Sequence, residues 1–589
     1  MKNLLELISG EVKEAFASAG YDAGLGTVTV SNRPDLCEYQ CNGAMAGAKL
    51  YHKAPIMIAT EVADKLLGSK VFESVNAVAP GFLNLNISET YLAEYVENMR
   101  KDETGRFGLS KDEPKTIIVD YGGPNVAKPL HVGHLRSAVI GESIKRICKY
   151  MGHNTIGDIH LGDWGLQMGL IITELKERKG ELPYFDDDFK GEYPKEAPFT
   201  IAELEEIYPT ASAKSKEDAE YKARAMDATH KLQEGNRGYR ALWDHIINVS
   251  VTDLKRNYKN LNVDFELWKG ESDVQDIIPG MVQYMKDGGY AYLSDGALVV
   301  DVKEETDTKE MPPCMILKSD GASLYNTTDL ATIMDRVKNY NPDKLIYLTD
   351  KRQDLYFEQV FRCARKTKLV DDKVELIHIG FGTVNGKDGK PFKTREGGVM
   401  RLEYLIDDIN KRMFERISEN RDMDKDEAGK IANTVGLAAI KYGDLSNQAS
   451  KDYIFDVEKF TSSEGNTGPY ILYTIVRIKS ILNKYEAQGG DLSSVKISPC
   501  SVLAAKELMK EITGFIPAIT SAYEEAAPHK ICAYIYALAN AFNSFYHDVR
   551  ILDESDEDRK KSYIGLIDIV KGILETSIDL LGFSAPDRM

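Results

Sequence analysis

A chain of 589 residues is too long for one hydrophobic core, so two to four domains are expected. Apolar residues make up 43% and charged residues 28%, an ordinary balance for a soluble globular protein, and no apolar run approaches a membrane span. The net charge of −18 excludes indiscriminate nucleic-acid binding; it leaves room for a nucleic acid held on local basic patches and for a cationic small substrate.

Residues 1–16 read as an amphipathic helix, because Glu6, Glu11 and Glu14 break the apolar positions; the same acids exclude a secretory signal. Residues 27–30 and 82–87 read as strands, the latter with period two. Residues 1–105 are thus expected to form a small α+β domain, followed by a charged, glycine-containing linker over 101–114. From 106 to 400 strands and helices alternate. Strand-like segments at 116–119 and 155–162 flank a helix over 135–150; a second set follows at 344–348, 355–365 and 374–382. A charged helical insertion around 183–270 separates the halves. The pattern predicts an α/β catalytic domain with a Rossmann-like doubly wound parallel sheet, whose ligands sit at the carboxyl ends of the strands where the topology switches. Residues 401–589 read as an all-α helical bundle, with amphipathic stretches at 427–442, 469–485 and 531–546. Of the seven cysteines only Cys37 and Cys41 are close, and no second pair completes a zinc site. No metal site is expected, and the odd count without a framework suggests the cytoplasm.

The joint after the strand at 116–119 reads Asp120-Tyr121-Gly122-Gly123-Pro124-Asn125-Val126-Ala127-Lys128-Pro129-Leu130-His131-Val132-Gly133-His134. Free backbone N–H groups and the helix dipole favour an anion at such a joint, and imidazoles there can donate to nucleotide phosphates. Asn125 and Lys128 add a polar group and a cation, while Gly122, Gly123 and Gly133 allow close backbone approach. Alone, the segment fits two polar residues at a helix start equally well. Asp163, in Gly162-Asp163-Trp164-Gly165, is expected to cap the next helix. Asp329, in Tyr325-Asn326-Thr327-Thr328-Asp329-Leu330, reads either as a cap or as the partner of a substrate cation. A carboxylate takes a guanidinium in a bidentate pair that a primary amine cannot reproduce. Tyr347 and Gln353 flank the following strand end and read either as structural residues or as lining of the same pocket. The basic, glycine-rich loop 386–398 reads as a solvated loop or as a phosphate clamp.

In their order and spacing these pieces resemble the arginyl-tRNA synthetases, class I aminoacyl-tRNA synthetases, over nearly the whole chain. Further matching pieces are His131 to Ser137, Gly270-Glu271-Ser272, Arg352-Gln353, Phe392-Lys393-Thr394-Arg395, Lys441-Tyr442 with Asp444, Pro469-Tyr470 and the ending Ala585 to Met589. The resemblance implies that L-arginine and ATP react to arginyl-adenylate and that the 3′-terminal adenosine of tRNA(Arg) then takes the arginine. It implies that ATP lies along residues 124–134, with His131, His134, Lys128, Lys393 and Arg395 as catalytic groups and Mg²⁺ accompanying the nucleotide. Asn125, Tyr325, Asp329, Gln353 and Glu271 would surround arginine. The N-terminal domain would meet the tRNA elbow, and the C-terminal bundle the anticodon through Tyr470, Tyr473 and Met589; the expected state is a monomer. A site built for a guanidinium rejects lysine by about 10⁴ or more without an editing domain.

Two departures from the family pattern stand out. Phe392-Lys393-Thr394-Arg395 replaces the usual Lys-Met-Ser-Lys signature, and Lys128 is expected to compensate. Gly123 stands where the family commonly has a small polar residue, which removes a side-chain hydrogen bond to the substrate amine. A catalytically silent tRNA-binding relative and a small-molecule nucleotidyltransferase are the competing readings. The intact histidine pair with Asp329 and Gln353 argues against the first, and the flanking domains argue against the second.

Overall fold

The computed structural model describes residues 1–390, 400–419 and 423–589. The chain divides into two compact units: Met1–Lys111 with Ser463–Asp579 and Ser584–Met589, and Asp112–Ser462 with Leu580–Phe583.

The first unit opens with the helix Leu4–Ser18, started by a capping box between Asn3 and Glu6. Leu4, Ile8, Val12 and Phe16 make its buried stripe. Strands β1 (Val28–Val30), β2 (Tyr39–Cys41), β3 (Phe72–Val78) and β4 (Phe82–Ile87) form an antiparallel sheet in the order β1-β2-β4-β3. The same unit contains the helices Gly468–Ala487, Leu503–Thr513, Phe515–Glu524 and His529–Asp548. The two parts share a core. Glu97 accepts the Ile497 N–H at 3.1 Å, Arg100 donates to the Val495 carbonyl at 2.7 Å, and the rings of Phe107 and Phe515 meet edge-on at 5.4 Å.

The second unit is built on a parallel sheet of β5 (Thr116–Asp120), β6 (Asn154–Asp158), β10 (Lys344–Asp350) and β11 (Glu375–Phe381), in the order β11-β10-β5-β6. Between β6 and β10 the chain makes a small antiparallel sheet of β7 (Ala291–Ser294), β8 (Ala297–Val300) and β9 (Cys314–Leu317). The near-continuous apolar run of β5, with Ile117, Ile118 and Val119 all buried, is what a strand covered on both faces needs. The chain passes from β5 outward to β6 and later returns on the other side of β5 as β10. The switch point therefore lies between β5 and β10, with a crevice beyond their carboxyl ends.

Helices Ile201–Glu217, Ala219–Gln233 and Arg237–Asn260 form the insertion. Helices Leu402–Ile417 and Lys425–Leu445 also pack within this unit. The buried Arg136 guanidinium, on the helix Val132–Met151, pairs with Asp444 at 3.2 Å and donates to the carbonyls of Gly382 and Lys451 at 3.0 and 2.7 Å. All seven cysteines are buried free thiols. Among the described residues no helix is long and apolar enough to cross a membrane.

Candidate active site

The crevice has a floor of three extended segments laid side by side. Ile159 and Leu161 donate their N–H groups to the carbonyls of Leu267 and Lys269 at 3.2 and 2.7 Å, and Glu271 donates back to Leu161 at 3.0 Å. On the other side Val126 donates to Gly162 at 3.0 Å and Gly162 to Pro124 at 3.2 Å. Two glycines make this approach possible. A Cβ at Gly123 would lie 2.5 Å from the His160 carbonyl oxygen and 2.6 Å from that of Ile159, and one at Gly162 would lie 2.0 Å from Asn125 Oδ1. A side chain at 123 would require these carbonyls to shift. Ala127 takes a left-handed φ of 58° and gives its N–H to Ser250 Oγ at 2.9 Å.

The segment ends at His131, the N-cap of the helix Val132–Met151. Gly133 N–H donates to His131 Nδ1 at 3.0 Å, and His131 N–H donates to His134 Nδ1 at 3.1 Å. Burial pushes both imidazoles below their usual range. Lys128 lowers His131 further; His131 and then Lys128 lower His134, which falls to about 3. Both rings are therefore neutral at neutral pH. Because each Nδ1 accepts, each ring proton sits on Nε2. The pair thus presents two neutral Nε2–H donors, with ring centroids 3.8 Å apart, at the N-terminus of a 20-residue helix. Such an array binds phosphate oxygens without competing for their protons. Lys128 holds its ammonium 4.4 Å over the Tyr208 ring. Val132 N–H donates to Met400 O at 3.1 Å and Leu402 N–H to Leu130 O at 2.9 Å, so the chain rejoins the histidine segment directly after 391–399. Lys393 and Arg395 lie outside the described residues.

Acidic groups line the other side. Asp329 stands in the second turn of the helix Tyr325–Tyr340, whose N-cap is Leu324, so it is not a cap. Its side chain is 19% exposed, with His160 Nε2 at 3.8 Å from Oδ1 and the Tyr356 hydroxyl donating to Oδ2. Glu271 is fixed by its backbone bond to Leu161. Asp163 departs from the capping expectation: the next helix, Leu166–Arg178, starts at Gly165, and Asp163 instead accepts the Ser272 N–H at 2.9 Å and hydroxyl at 2.6 Å. The reason is the left-handed Gly165, φ +115°, which turns the chain between Asp163 and the helix.

Burial raises all three carboxyls. Glu271 rises to about 8, with Asp163 and Asp329 adding to the burial effect. The pocket thus holds three interacting acids, an environment that a cation relieves. Tyr325 is at the exposed rim; partial burial, then Glu271 and Tyr208, raise its phenol. Gln353 ends the short helix Lys351–Gln353, just past β10, and is exposed. Tyr347 does not line the pocket: it is 2% exposed, with the Arg336 guanidinium 5.2 Å over its ring.

Residues 97–457 match the family model for the catalytic domain of class I tRNA synthetases (R), residues 471–589 that of the DALR anticodon binding domain, and residues 2–87 that of the arginyl tRNA synthetase N terminal domain. The chain is 67% identical over 598 residues to an arginine–tRNA ligase of Agathobacter rectalis and 54% identical over 590 residues to one of Alkaliphilus oremlandii, with 100% of both chains covered in each case. The chain belongs to the arginine–tRNA ligase family. Among solved structures, arginyl-tRNA synthetases of Plasmodium falciparum (TM-score 0.80, 24% identity) and Thermus thermophilus (TM-score 0.78, 20% identity) have the same fold over 100% of both chains.

The remaining residues expected of an arginine–tRNA ligase lie in the other unit. Tyr470 donates its hydroxyl to Asn540 at 2.7 Å and accepts from Asn543 at 2.9 Å. Tyr473 is 42% exposed, and the Arg477 guanidinium stacks 4.7 Å over it. Arg477 also borders a cavity of about 610 Å³ with Lys484, His547 and Arg550. Met589 is half-buried.

Sequence reasoning missed four residues of the crevice: Arg336, Asp158, His160 and Tyr356. Arg336 is buried and donates to Asp120 at 2.6 Å and to Asp158 at 2.7 Å, which ties the carboxyl ends of β5 and β6 to the helix carrying Asp329. Its position seven residues after Asp329, on the same helix face, was a usable signal. Nothing in the local sequence linked Tyr356 or His160 to Asp329.

Proposed function

We propose that the chain ligates L-arginine to tRNA(Arg) in two steps. The arginine carboxylate attacks the α-phosphorus of ATP, pyrophosphate leaves, and the 3′-terminal adenosine hydroxyl of the tRNA then attacks the activated carbonyl and releases AMP. ATP lies along Pro124 to His134. His131 and His134 donate Nε2–H to its phosphates, and Lys128, Lys393 and Arg395 supply positive charge that stabilises the departing pyrophosphate. Arginine lies against Asn125, Tyr325 and Gln353, with its guanidinium on Asp329 and Glu271. The observation that carries this reading is that two neutral imidazole donors end one side of the crevice whose other side holds Glu271, buried and within reach of the charges of Asp163 and Asp329. The first suits a polyphosphate and the second a cation.

The described residues around the histidines offer nitrogen donors and not free carboxylates, a donor set suited to phosphate rather than to a hard cation. Mg²⁺ accompanying ATP would supply charge neutralisation on the phosphates. For the tRNA, residues 1–105 serve the elbow and the helical region within 401–589 serves the anticodon through Tyr470, Tyr473 and Met589, with the exposed Tyr473 as a stacking face. The enzyme works as a cytoplasmic monomer.

The test is arginine-dependent ATP–pyrophosphate exchange with and without tRNA(Arg), followed by charging, with analytical ultracentrifugation for the oligomeric state. Exchange that requires tRNA, and charging of tRNA(Arg) alone, are the expected results. Failure to charge any arginine tRNA refutes the assignment.

A further inference from the structure

A carboxylate that recognises a guanidinium from inside a protein has two requirements. It must stay ionised although burial favours its neutral form, and its plane must be fixed so that both oxygens meet the two N–H groups of the fork. Asp329 is under pressure on the first count, since burial raises its carboxyl and Asp120 adds to the rise.

The groups that oppose this rise differ in what they can do. His160 Nε2 stands 3.8 Å from Oδ1, beyond hydrogen-bond reach. Arg336 acts at a distance: its Nε and Nη2 groups donate to Asp158 and Asp120, and none of its hydrogen bonds goes to Asp329. Tyr356 is different: its hydroxyl donates directly to Asp329 Oδ2 from the separate helix Asp354–Lys366. The ring is held in turn, packed edge-on against Phe357 with centroids 5.2 Å apart. Burial, then the charge of Asp329 and its hydrogen bond, raise the phenol, so it remains a donor.

We propose that Tyr356 is the positioning residue for arginine recognition: by donating to one oxygen of Asp329 it keeps the carboxylate ionised and fixes the plane that a guanidinium, but not an ammonium, requires. The inference rests on the reading of Asp329 as the guanidinium partner. It assigns a division of labour in which Asp329 touches substrate and Tyr356 acts only through Asp329.

The part of the pH dependence that Tyr356 can move is that of Asp329 within its surroundings. It feels Tyr356, His160 from the segment after β6, Asp120 from β5 and Arg336 from its own helix. Glu271 acts from the turn Glu271–Val274, Tyr347 from β10 and Cys314 from β9. Removal of the Tyr356 donor deletes one influence that lowers the Asp329 pKa, so the pKa rises and the acid limb of arginine use moves to higher pH.

The experiment uses the full chain with tRNA(Arg) in ATP–pyrophosphate exchange. Tyr356→Phe is expected to raise KM for arginine about tenfold, equivalent to about 1.4 kcal/mol, with kcat within about twofold and KM for ATP unchanged. The acid limb of kcat/KM for arginine, compared with and without Tyr356→Phe in a Glu271→Gln background so that the Glu271 proton does not enter, should shift upward. Selectivity for arginine over citrulline, its neutral isostere, should fall. 3,5-Difluorotyrosine at position 356 is isosteric and a stronger donor, and should move the acid limb downward; it keeps the test decisive if the phenylalanine variant folds poorly. An unchanged KM and acid limb in both variants overturns the proposal, as does a fall in kcat alone. Asp329→Asn separates the two levels. If it leaves KM for arginine unchanged, the guanidinium assignment falls and the inference with it. If it raises KM while the Tyr356 variants do nothing, only the inference falls.

Discussion

With Glu271 against the guanidinium, as proposed, arginine binding becomes a proton-linked event. Its carboxyl is held at about 8 by burial and by the neighbouring charges of Asp163 and Asp329. A carboxyl raised in this way favours its protonated form in the empty pocket, whereas a guanidinium favours the ionised form. Arginine must therefore displace a proton below pH 8, and affinity must rise with pH. If the ionised form binds, the population bound to a proton weakens apparent affinity by about tenfold at pH 7, about twofold at pH 8 and hardly at all at pH 9. Isothermal titration of arginine into the enzyme–tRNA complex, repeated at pH 7 in two buffers with different heats of ionisation, should report close to one proton released per arginine. Glu271→Gln should flatten the profile, because an amide does not titrate. A flat affinity between pH 7 and pH 9, with heats independent of buffer, would refute the reasoning and show that Glu271 does not ionise on binding.

Gly123→Ser restores the small polar residue that the family pattern suggests, yet it should harm the enzyme: its Cβ meets two carbonyl oxygens at 2.5 and 2.6 Å, an overpacking cost of about 1–3 kcal/mol. Urea denaturation should detect the loss, and KM for arginine should rise; a neutral result would mean that the floor of the crevice yields easily. Arg336→Met leaves Asp120 and Asp158 buried without their cation, so stability should fall by about 3–5 kcal/mol in the same assay. Tyr473→Ala removes an exposed stacking ring and should raise KM for tRNA(Arg) in charging by about tenfold, within the range of about 1–3 kcal/mol for one stacked base, with KM for arginine unchanged. An unaltered KM for tRNA would exclude Tyr473 from the tRNA surface.

The chain by itself determined the elements and the chemistry of local runs. Periodicity found the strand Phe82–Ile87 to the residue and the helices Lys425–Leu445 and Gly468–Ala487 to within a few residues, because helix and strand repeats are written in adjacent side chains. The strand, glycines and helix start around the histidines were legible for the same reason: they are contiguous in sequence. Local reading failed where a side chain's partner lies far along the chain. Asp163 was expected to serve the helix beside it and instead serves Ser272, and of the two readings open for Tyr347 the buried position under Arg336 selects the structural one. The tertiary structure alone decided which acids share one space, that Asp329 is held by Tyr356 from another helix, and that a side chain at 123 would require two carbonyls to shift. These are through-space facts: burial and the nearest charge set the protonation of Glu271, and backbone approach across the crevice crowds a Cβ at Gly123, neither of which any window of sequence contains.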